Sequence, residues 1–515
     1  RCNWRGRSRE RVRQSGELLP TQYPVLAYHF SQTNQHLDGL KYALAAANDA
    51  ETTHNYRGAA EFFKQAANHL EALGEKAAWE TAVSVCVARA RLLLRLGQFG
   101  QASLMVAEAM KLCLDHNAIE KTLALYNLTA EIRLRQARYT EVPGLTNKVI
   151  NSLLADTPPV QQGQAYLLWG QALAALGDWA AAQRKLSHAE TILLTDPQPR
   201  LTAPLFMALA EVQTQRQLDD TALFPLETAL SLLADETDPL LWGQVQLTLS
   251  QVLLRLGRAD AALTAAETAV SRLRAAGTNL LAHGLTHRAA VYIYLGQFEA
   301  ALGDLQMAGE LFDGMDDVAG QLKLYLLWGV EYHGRQGDWR QARRRLVRVG
   351  QLLTAQPKDD GMVMQEGIRL WLGMGLVALH SARWDQARSL LQKVLTAVAS
   401  RQFVWWQPAA YYTWGQLLLA TAGEGVARQT ALVEAFRSFQ KGFQAVQTGG
   451  CPDELPLLLL QMGLTAVELG DTRGWDYLET AVEAARQRAR HTDRQQVQQQ
   501  ARRERVGGEV LCYVW

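Results

Sequence analysis

Residues 166–190 read YLLWGQALAALGDWAAAQRKLSHAE, and this stretch predicts two helices joined by a tight turn. Leucines recur near the 3.6-residue period in the first half and give it one apolar face. Gly177 can end the first helix, because a residue without Cβ adopts the left-handed conformation at little cost. The side chain of Asp178 can then cap the second helix. Gly170 and Ala182 are small where the two helices should touch, and such a hairpin needs similar neighbours to bury its apolar face.

The same turn recurs along the chain at a regular interval. The clearest turn positions are Gly97, Gly177, Gly257, Gly296 and Gly337, with weaker copies at Ala137 and Ala382. Successive positions are 40, 40, 80, 39, 41 and 45 residues apart, and the gap of 80 holds a degenerate copy near 216–218. A fixed period of this size indicates a solenoid of stacked hairpins.

The repeated unit resembles the tetratricopeptide repeat. Its signature is matched by Trp169, Gly170, Leu173, Gly177, Trp179, Ala182, Leu186 and Ala189. A second copy fits with one inserted residue, at Trp328, Gly329, Tyr332, Gly337, Trp339, Ala342 and Leu346. The usual period is about 34 residues, so a period near 40 indicates longer helices. The resemblance implies an all-α, right-handed superhelical solenoid of about 10–12 hairpins over residues 21–486.

The two ends of the chain depart from the repeat. Residues 1–20 carry six arginines in the first 13 positions, which predicts a solvated or partly helical edge or, alternatively, an arm for an acidic partner or nucleic acid. Residues 487–515 are rich in Arg and Gln, and we expect this tail to be disordered. The chain begins with Arg1 rather than Met, so we expect it to be a piece of a longer protein.

Residues 18–75 resemble the helical region that follows the nucleotide-binding domain of multidomain bacterial signalling ATPases. These proteins are of the AAA or STAND type and are sometimes linked to a cyclase. The resemblance implies an upstream ATPase or other signalling domain that is covalently linked to the repeats.

Composition excludes several classes of protein. Lys and Arg number 52 against 51 Asp and Glu, and a net charge of +1 argues against nucleic-acid or membrane-surface binding by the chain as a whole. The sequence has no apolar run of 18 residues, so we expect no transmembrane span. Its five cysteines include no CxxC pair, which indicates neither a disulfide framework nor a zinc site and favours the cytoplasm.

Motifs that carry catalysis are not found in the sequence. There is no GxxxxGK[ST] phosphate loop, no HExxH, no GxSxG and no GxGxxG between a strand and a helix. We therefore expect no enzyme activity and no cofactor.

Three other features allow more than one interpretation. His283 and His287 share one helix face, but a metal site lacks a third ligand, so ordinary helix histidines are favoured. The arginines within 340–348 indicate a solvated face or stems that cover apolar surface, or else a surface for partner docking. Trp405 and Trp406 fall outside the repeat positions, and inter-helix packing is favoured over ligand recognition.

In this repeat class the first helix of each hairpin lines the concave surface. If Gly170 faces its paired helix, the polar residues that point into the groove are Gln164, Gln171, Gln244, Gln251, Lys323, Arg369, Tyr412 and Gln416. Such side chains can hydrogen-bond an extended peptide or an acidic ligand, although polar residues also line any hydrated groove.

The predicted function is a non-catalytic module for protein–protein interaction, with a protein or peptide partner in the concave groove. It would serve as the sensor or regulatory repeat region of a larger signal-transduction protein. The alternative is a small-molecule-sensing repeat domain that controls an attached ATPase, cyclase or transcription-regulator module. A nucleic-acid-binding superhelix is disfavoured by the balanced charge.

Overall fold

The structure is a computed structural model, and it describes residues 22–53, 55–74, 77–152, 158–217, 220–233, 238–276, 279–356, 361–399, 401–488 and 497. The predicted N-terminal segment 1–20 lies outside the described residues. Only 487, 488 and 497 of the predicted tail are described. The predicted domain boundaries therefore stay predictions.

The described residues form 23 α-helices and no strand, in the order of a leading helix and eleven consecutive hairpins. The leading helix and hairpins 1 to 3 are α1 (Tyr23–Ser31), α2/α3 (His36–Thr52, Tyr56–Leu73), α4/α5 (Trp79–Arg95, Phe99–Asp115) and α6/α7 (Ile119–Arg135, Val142–Ile150). Hairpins 4 to 7 are α8/α9 (Pro159–Ala175, Trp179–Leu193), α10/α11 (Pro199–Gln217, Leu223–Leu232), α12/α13 (Pro239–Arg255, Ala259–Ala276) and α14/α15 (Asn279–Tyr294, Phe298–Phe312). Hairpins 8 to 11 are α16/α17 (Val318–Leu326, Trp339–Thr354), α18/α19 (Gly361–His380, Trp384–Val398), α20/α21 (Gln407–Ala420, Val426–Gln447) and α22/α23 (Leu455–Glu468, Gly474–Arg488). The predicted all-α solenoid of about 10–12 hairpins is confirmed.

Each clear turn glycine has the backbone conformation that the sequence required. The φ angles of Gly97, Gly177, Gly257, Gly296 and Gly337 lie between +72° and +82°. At the quoted hairpin, the Gly177 N–H donates to the Ala174 carbonyl and the Asp178 N–H donates to the Leu173 carbonyl, both at 3.0 Å. This bond pair satisfies the last carbonyls of the first helix. The Asp178 carboxylate then accepts from the Ala181 N–H at 3.1 Å and caps the second helix.

Within the hairpins, two turns reach the same conformation without glycine. Ala137 has φ +60° and Ala382 has φ +54°, and both make the same pair of backbone bonds. A left-handed alanine costs about 1–2 kcal/mol relative to the ordinary helical conformation. These two hairpins therefore carry local strain that the glycine turns avoid.

Replacing Ala382 with glycine should therefore stabilise the protein. We expect Ala382→Gly to raise the free energy of unfolding by about 0.5–1 kcal/mol, because the relief of strain exceeds the loss of chain entropy. Chemical denaturation followed by circular dichroism measures the change. The reverse substitution Gly337→Ala, at a turn with φ +75° and no atom within 4 Å of an added Cβ, should lower stability by a similar amount. A lower stability for Ala382→Gly would contradict this account of the turn.

Small residues let paired helices approach closely, as the quoted stretch predicted. A Cβ added at Gly170 would stand 2.6 Å from Cδ2 of Leu186, a side chain with no exposed surface. Gly415 meets Phe439 in the same way in hairpin 10. At each of these positions a side chain of the second helix packs directly against the glycine backbone of the first helix. No room is left for a methyl group on the glycine.

The residue inserted in the second tetratricopeptide-like copy is accommodated by a π-helix. Residues Leu327–His333 form it directly after α16, so hairpin 8 has a first helix with a wider last part. Trp328 and Tyr332 of this segment remain buried. Single-turn π segments arise by insertion into an α-helix and are frequent at functional sites.

The solenoid turns far enough for its early hairpins to touch later ones. The Asp316 N–H, between hairpins 7 and 8, donates to the carbonyl of Gly97 in the turn of hairpin 2, at 3.0 Å. Ala137, in the turn of hairpin 3, has no exposed surface and packs in one apolar cluster with Leu326 and Val377. The interior is therefore partly closed by the chain itself.

Candidate binding cavity

A cavity of about 620 Å³ lies inside the array, on the side of the first helices. All six first helices of hairpins 6 to 11 contribute lining residues, from Leu254 in α12 to Leu457 in α22. A volume of this size falls in the range of ligand-binding cavities, about 300–1,000 Å³. The cavity is therefore large enough to enclose a ligand.

Charged residues of both signs line the cavity: Arg255, Glu331, Arg335, Arg369, Asp453 and Glu454. The Arg335 Nε donates to Glu331 Oε2 at 2.6 Å, and the Arg369 Nη1 donates to Glu366 Oε2 at 2.8 Å. Because charged groups of both signs line the cavity together with apolar side chains, the lining suits a ligand that carries both charges and an apolar body.

Two tryptophans that stand outside the repeat form an aromatic wall of this cavity. Trp405 and Trp406 end the short 3₁₀ segment Arg401–Trp406 between hairpins 9 and 10. The guanidinium carbon of Arg255 lies 5.6 Å from the centre of the Trp405 ring, and that of Arg369 lies 5.3 Å from the Trp406 ring. Since Arg255 belongs to hairpin 6, its contact crosses the interior of the array.

A hydrogen bond fixes the wall contributed by α20. The Gln416 Nε2 donates to the Tyr412 hydroxyl at 2.7 Å, and Tyr412 is 8% exposed. Two other lining residues stack on each other: His380, at the end of α18, lies on Trp339 with ring centres 4.0 Å apart. Burial lowers the pKa of His380, so this ring is neutral near pH 7 and acts as an aromatic surface.

Three of the eight predicted groove residues line the cavity: Arg369, Tyr412 and Gln416. The other five lie on first helices but outside its lining: Gln164, Gln171, Gln244, Gln251 and Lys323. The cavity begins only at the end of α12, so α8 precedes it and the middle of α12 stands away from it. Gln251 and Lys323 are exposed, and a role for these five in binding stays a prediction.

Sequence reasoning missed Glu331, Arg335, Asp453 and Glu454 as cavity residues. Glu331 and Arg335 line the cavity because of the inserted residue. The π-helix shifts the helical register by one residue, which changes the side chains that face the interior at the end of this first helix. The signal was present, as the second repeat copy matched only with an insertion. The last two belong to the junction before α22, where the sequence offers no repeat signature.

The two histidines considered as a metal pair bind different partners. The Nε2 of His283 lies 2.6 Å from Asp317 Oδ2, whereas the Nε2 of His287 lies 2.8 Å from the hydroxyl of Ser250. Burial, with the nearby charge of Arg255, lowers the pKa of His287 to about 4. The described ranges contain no group of three or more potential metal ligands.

None of the helices in the described ranges has the length and apolar character of a membrane span.

Comparisons by sequence identify no relative, since no family profile and no curated protein matches the chain. Solved structures do match. A Rap protein complexed with Competence and Sporulation Factor is 13% identical over 70% of this chain and 97% of its own, with a TM-score of 0.50. The Cut9–Hcn1 hetero-tetramer of the APC/C gives 13% identity over 94% of this chain and 96% of its own, also at 0.50.

A STAND protein with a tetratricopeptide-repeat sensor, from Pyrococcus horikoshii, also matches. It is 14% identical over 81% of this chain and 54% of its own, with a TM-score of 0.38. A TM-score this low does not establish a shared fold, so the link to a signalling ATPase stays a prediction. The structural neighbours are helical-repeat proteins of the tetratricopeptide type, and this chain has their fold.

Proposed function

We propose that this chain is a non-catalytic binding module whose interior cavity holds a segment of a protein or peptide partner. It would act as the sensor or regulatory region of a larger signalling protein, with an ATPase or other signalling domain upstream. The cavity walls supply what an extended peptide needs: charged groups of both signs, an amide, aromatic faces and an apolar floor.

One observation carries this proposal: the two breaks in the repeat that lie between 326 and 407 border the same cavity. The π-helix Leu327–His333 supplies Leu327, Gly329 and Glu331, and the 3₁₀ segment Arg401–Trp406 supplies both tryptophans. A solenoid gains nothing in stability from such irregularities, because each disturbs the regular stacking of its hairpins. Their convergence on one cavity supports a binding site there, because such irregular segments are frequent at functional sites.

The size of the cavity also supports the alternative, a small-molecule sensor. A volume of about 620 Å³ encloses a drug-sized molecule, whereas a long partner segment would extend beyond it. Both proposals place the ligand against the same residues. The two proposals differ in one respect: for a peptide partner, residues on either side of the bound segment should add affinity, whereas a small molecule has no such residues.

A thermal-shift screen with short peptides and with metabolites tests the proposal. A compound that binds the folded protein raises its melting temperature by mass action. We expect a hit whose affinity falls at least about tenfold in Ala409→Trp, because this half-buried alanine lines the cavity and the indole fills it.

The matched control is Ala427→Trp, on the exposed face of α21, which should leave the affinity unchanged. Equal affinities for the wild type and Ala409→Trp would rule out the cavity as the site. Peptide hits that tighten with added flanking residues favour the first proposal, and metabolite hits favour the alternative.

A further inference from the structure

The solvent-facing side of α17 is a cluster of cations around one exposed apolar residue. Arg340, Arg343, Arg344 and Arg348 are exposed, and Val347 between them is 45% exposed. Their spacing of three and four residues places all five on one side of the helix. The helix contains no Asp or Glu, although the chain as a whole is nearly neutral.

These cations are not neutralised within the described part of the chain. Arg340, Arg343 and Arg344 make no salt bridge or hydrogen bond there. Arg348 contacts only the amide oxygen of Gln351, at 3.4 Å. Like charges three or four positions apart destabilise a helix. The fifth arginine, Arg345, is used differently, since its guanidinium stacks 3.6 Å from the centre of the Trp328 ring.

The second helix of the preceding hairpin has the opposite charge. On α15, Glu299 and Glu310 are exposed on either side of Met307, which is 42% exposed. The helix contains no Lys or Arg, and its third acid, Asp304, is already paired with Arg288 at 2.7 Å. Every other second helix with more than one charged residue carries both signs.

The helices α15 and α17 are the second helices of consecutive hairpins, and the π-helix Leu327–His333 packs against both. The acidic face and the basic face are therefore neighbours on the side away from the interior. A surface with one acidic and one basic half, each with an apolar centre, is complementary to itself after a two-fold rotation. The α15 face of one molecule then meets the α17 face of the other, twice.

We propose that this surface, formed by α15 and α17, binds a second copy of the chain in a two-fold symmetric dimer. In the dimer, Val347 of one copy packs near Met307 of the other, and the arginines neutralise Glu299 and Glu310. A nucleic acid fits less well, because the acidic helix beside the arginines repels a phosphate backbone.

The dimer should be weak and sensitive to salt. Each helix face is about 23 Å long and about 10 Å wide, so two faces offer about 460 Å². This is less than the roughly 800 Å² per partner of a stable interface. Most of the attraction comes from exposed charges, which salt screens beyond about 10 Å at 0.1 M. Self-association should therefore appear at high protein concentration and low ionic strength.

A charge-exchange experiment with the full chain tests the proposal by sedimentation velocity. The quadruple variant Arg340→Glu/Arg343→Glu/Arg344→Glu/Arg348→Glu makes both faces acidic, and the double variant Glu299→Arg/Glu310→Arg makes both basic. We expect the wild type to dimerise and each variant alone to remain a monomer. An equimolar mixture of the two variants should dimerise, because each acidic face then meets a basic one.

Arg388→Glu/Lys393→Glu on the exposed face of α19 is the matched control and should dimerise like the wild type. Circular dichroism shows that each variant is folded. A wild type that stays monomeric at low ionic strength would overturn the proposal. So would a dimer that survives both charge variants, or a mixture of the variants that stays monomeric.

Discussion

Gly415→Ala is expected to lower the free energy of unfolding by about 3 kcal/mol, because the added methyl group has no space. Its Cβ would stand 2.3 to 2.8 Å from three ring atoms of Phe439. Phe439 has no exposed surface, so its ring cannot move without displacing α20 from α21. Chemical denaturation followed by circular dichroism measures the loss. Amide hydrogens should exchange faster mainly in hairpin 10, because each hairpin of a solenoid contacts mainly its neighbours.

The matched control is the same substitution at Gly303, in the middle of α15. This glycine is exposed, and no atom lies within 4 Å of an added Cβ. Gly303→Ala should therefore raise stability by about 0.5–1 kcal/mol, the ordinary helix preference of alanine over glycine. If both substitutions changed stability by the same sign and amount, the close approach of paired helices would not be what Gly415 provides.

Acidification should destabilise the protein strongly through one half-buried histidine, His287. His287 is half-buried, and its pKa in the folded protein is about 4, against 6.5 for the unfolded chain. Between these pH values only the unfolded state binds the proton, so stability falls as pH falls from 6.5 to about 4. The full loss is about 3 kcal/mol, at 1.36 kcal/mol for each pKa unit. Denaturation midpoints measured across this pH window give the slope.

The variant His287→Gln isolates this contribution. The Ser250 hydroxyl donates to the Ala262 carbonyl at 2.6 Å, so it can accept a hydrogen bond from His287 Nε2 or from a glutamine amide. Glutamine keeps the hydrogen-bond donor but does not titrate. The slope of the free energy of unfolding against pH should therefore fall by the amount that one bound proton contributes. An unchanged slope would show that other groups cause the acid sensitivity.

The hairpins were predictable from the sequence because their signals are local. Gly177 and Asp178 specify a turn and a cap through bonds that span five residues at most. Gly170 and Leu186 meet within one hairpin, so their pairing follows from the helix period. The same reasoning fixed the repeat period and the number of hairpins.

The cavity was not predictable, because it depends on rotations that add up over several hairpins. Arg255 meets Trp405, and Asp316 meets Gly97, across separations of 150 and 219 residues. Small changes in the angle between hairpins decide whether such contacts form. The groove prediction treated the concave surface as uniform, so it included Gln164 in α8, which precedes the cavity.

Hydrogen–deuterium exchange with the ligand from the thermal-shift screen tests the central claim most directly, namely that binding occurs in the interior cavity. The account predicts slower amide exchange, in the presence of ligand, in 327–335 and 403–416, the segments that hold the two irregular stretches and the α20 wall. Protection confined to the second helices, with these segments unchanged, would contradict it.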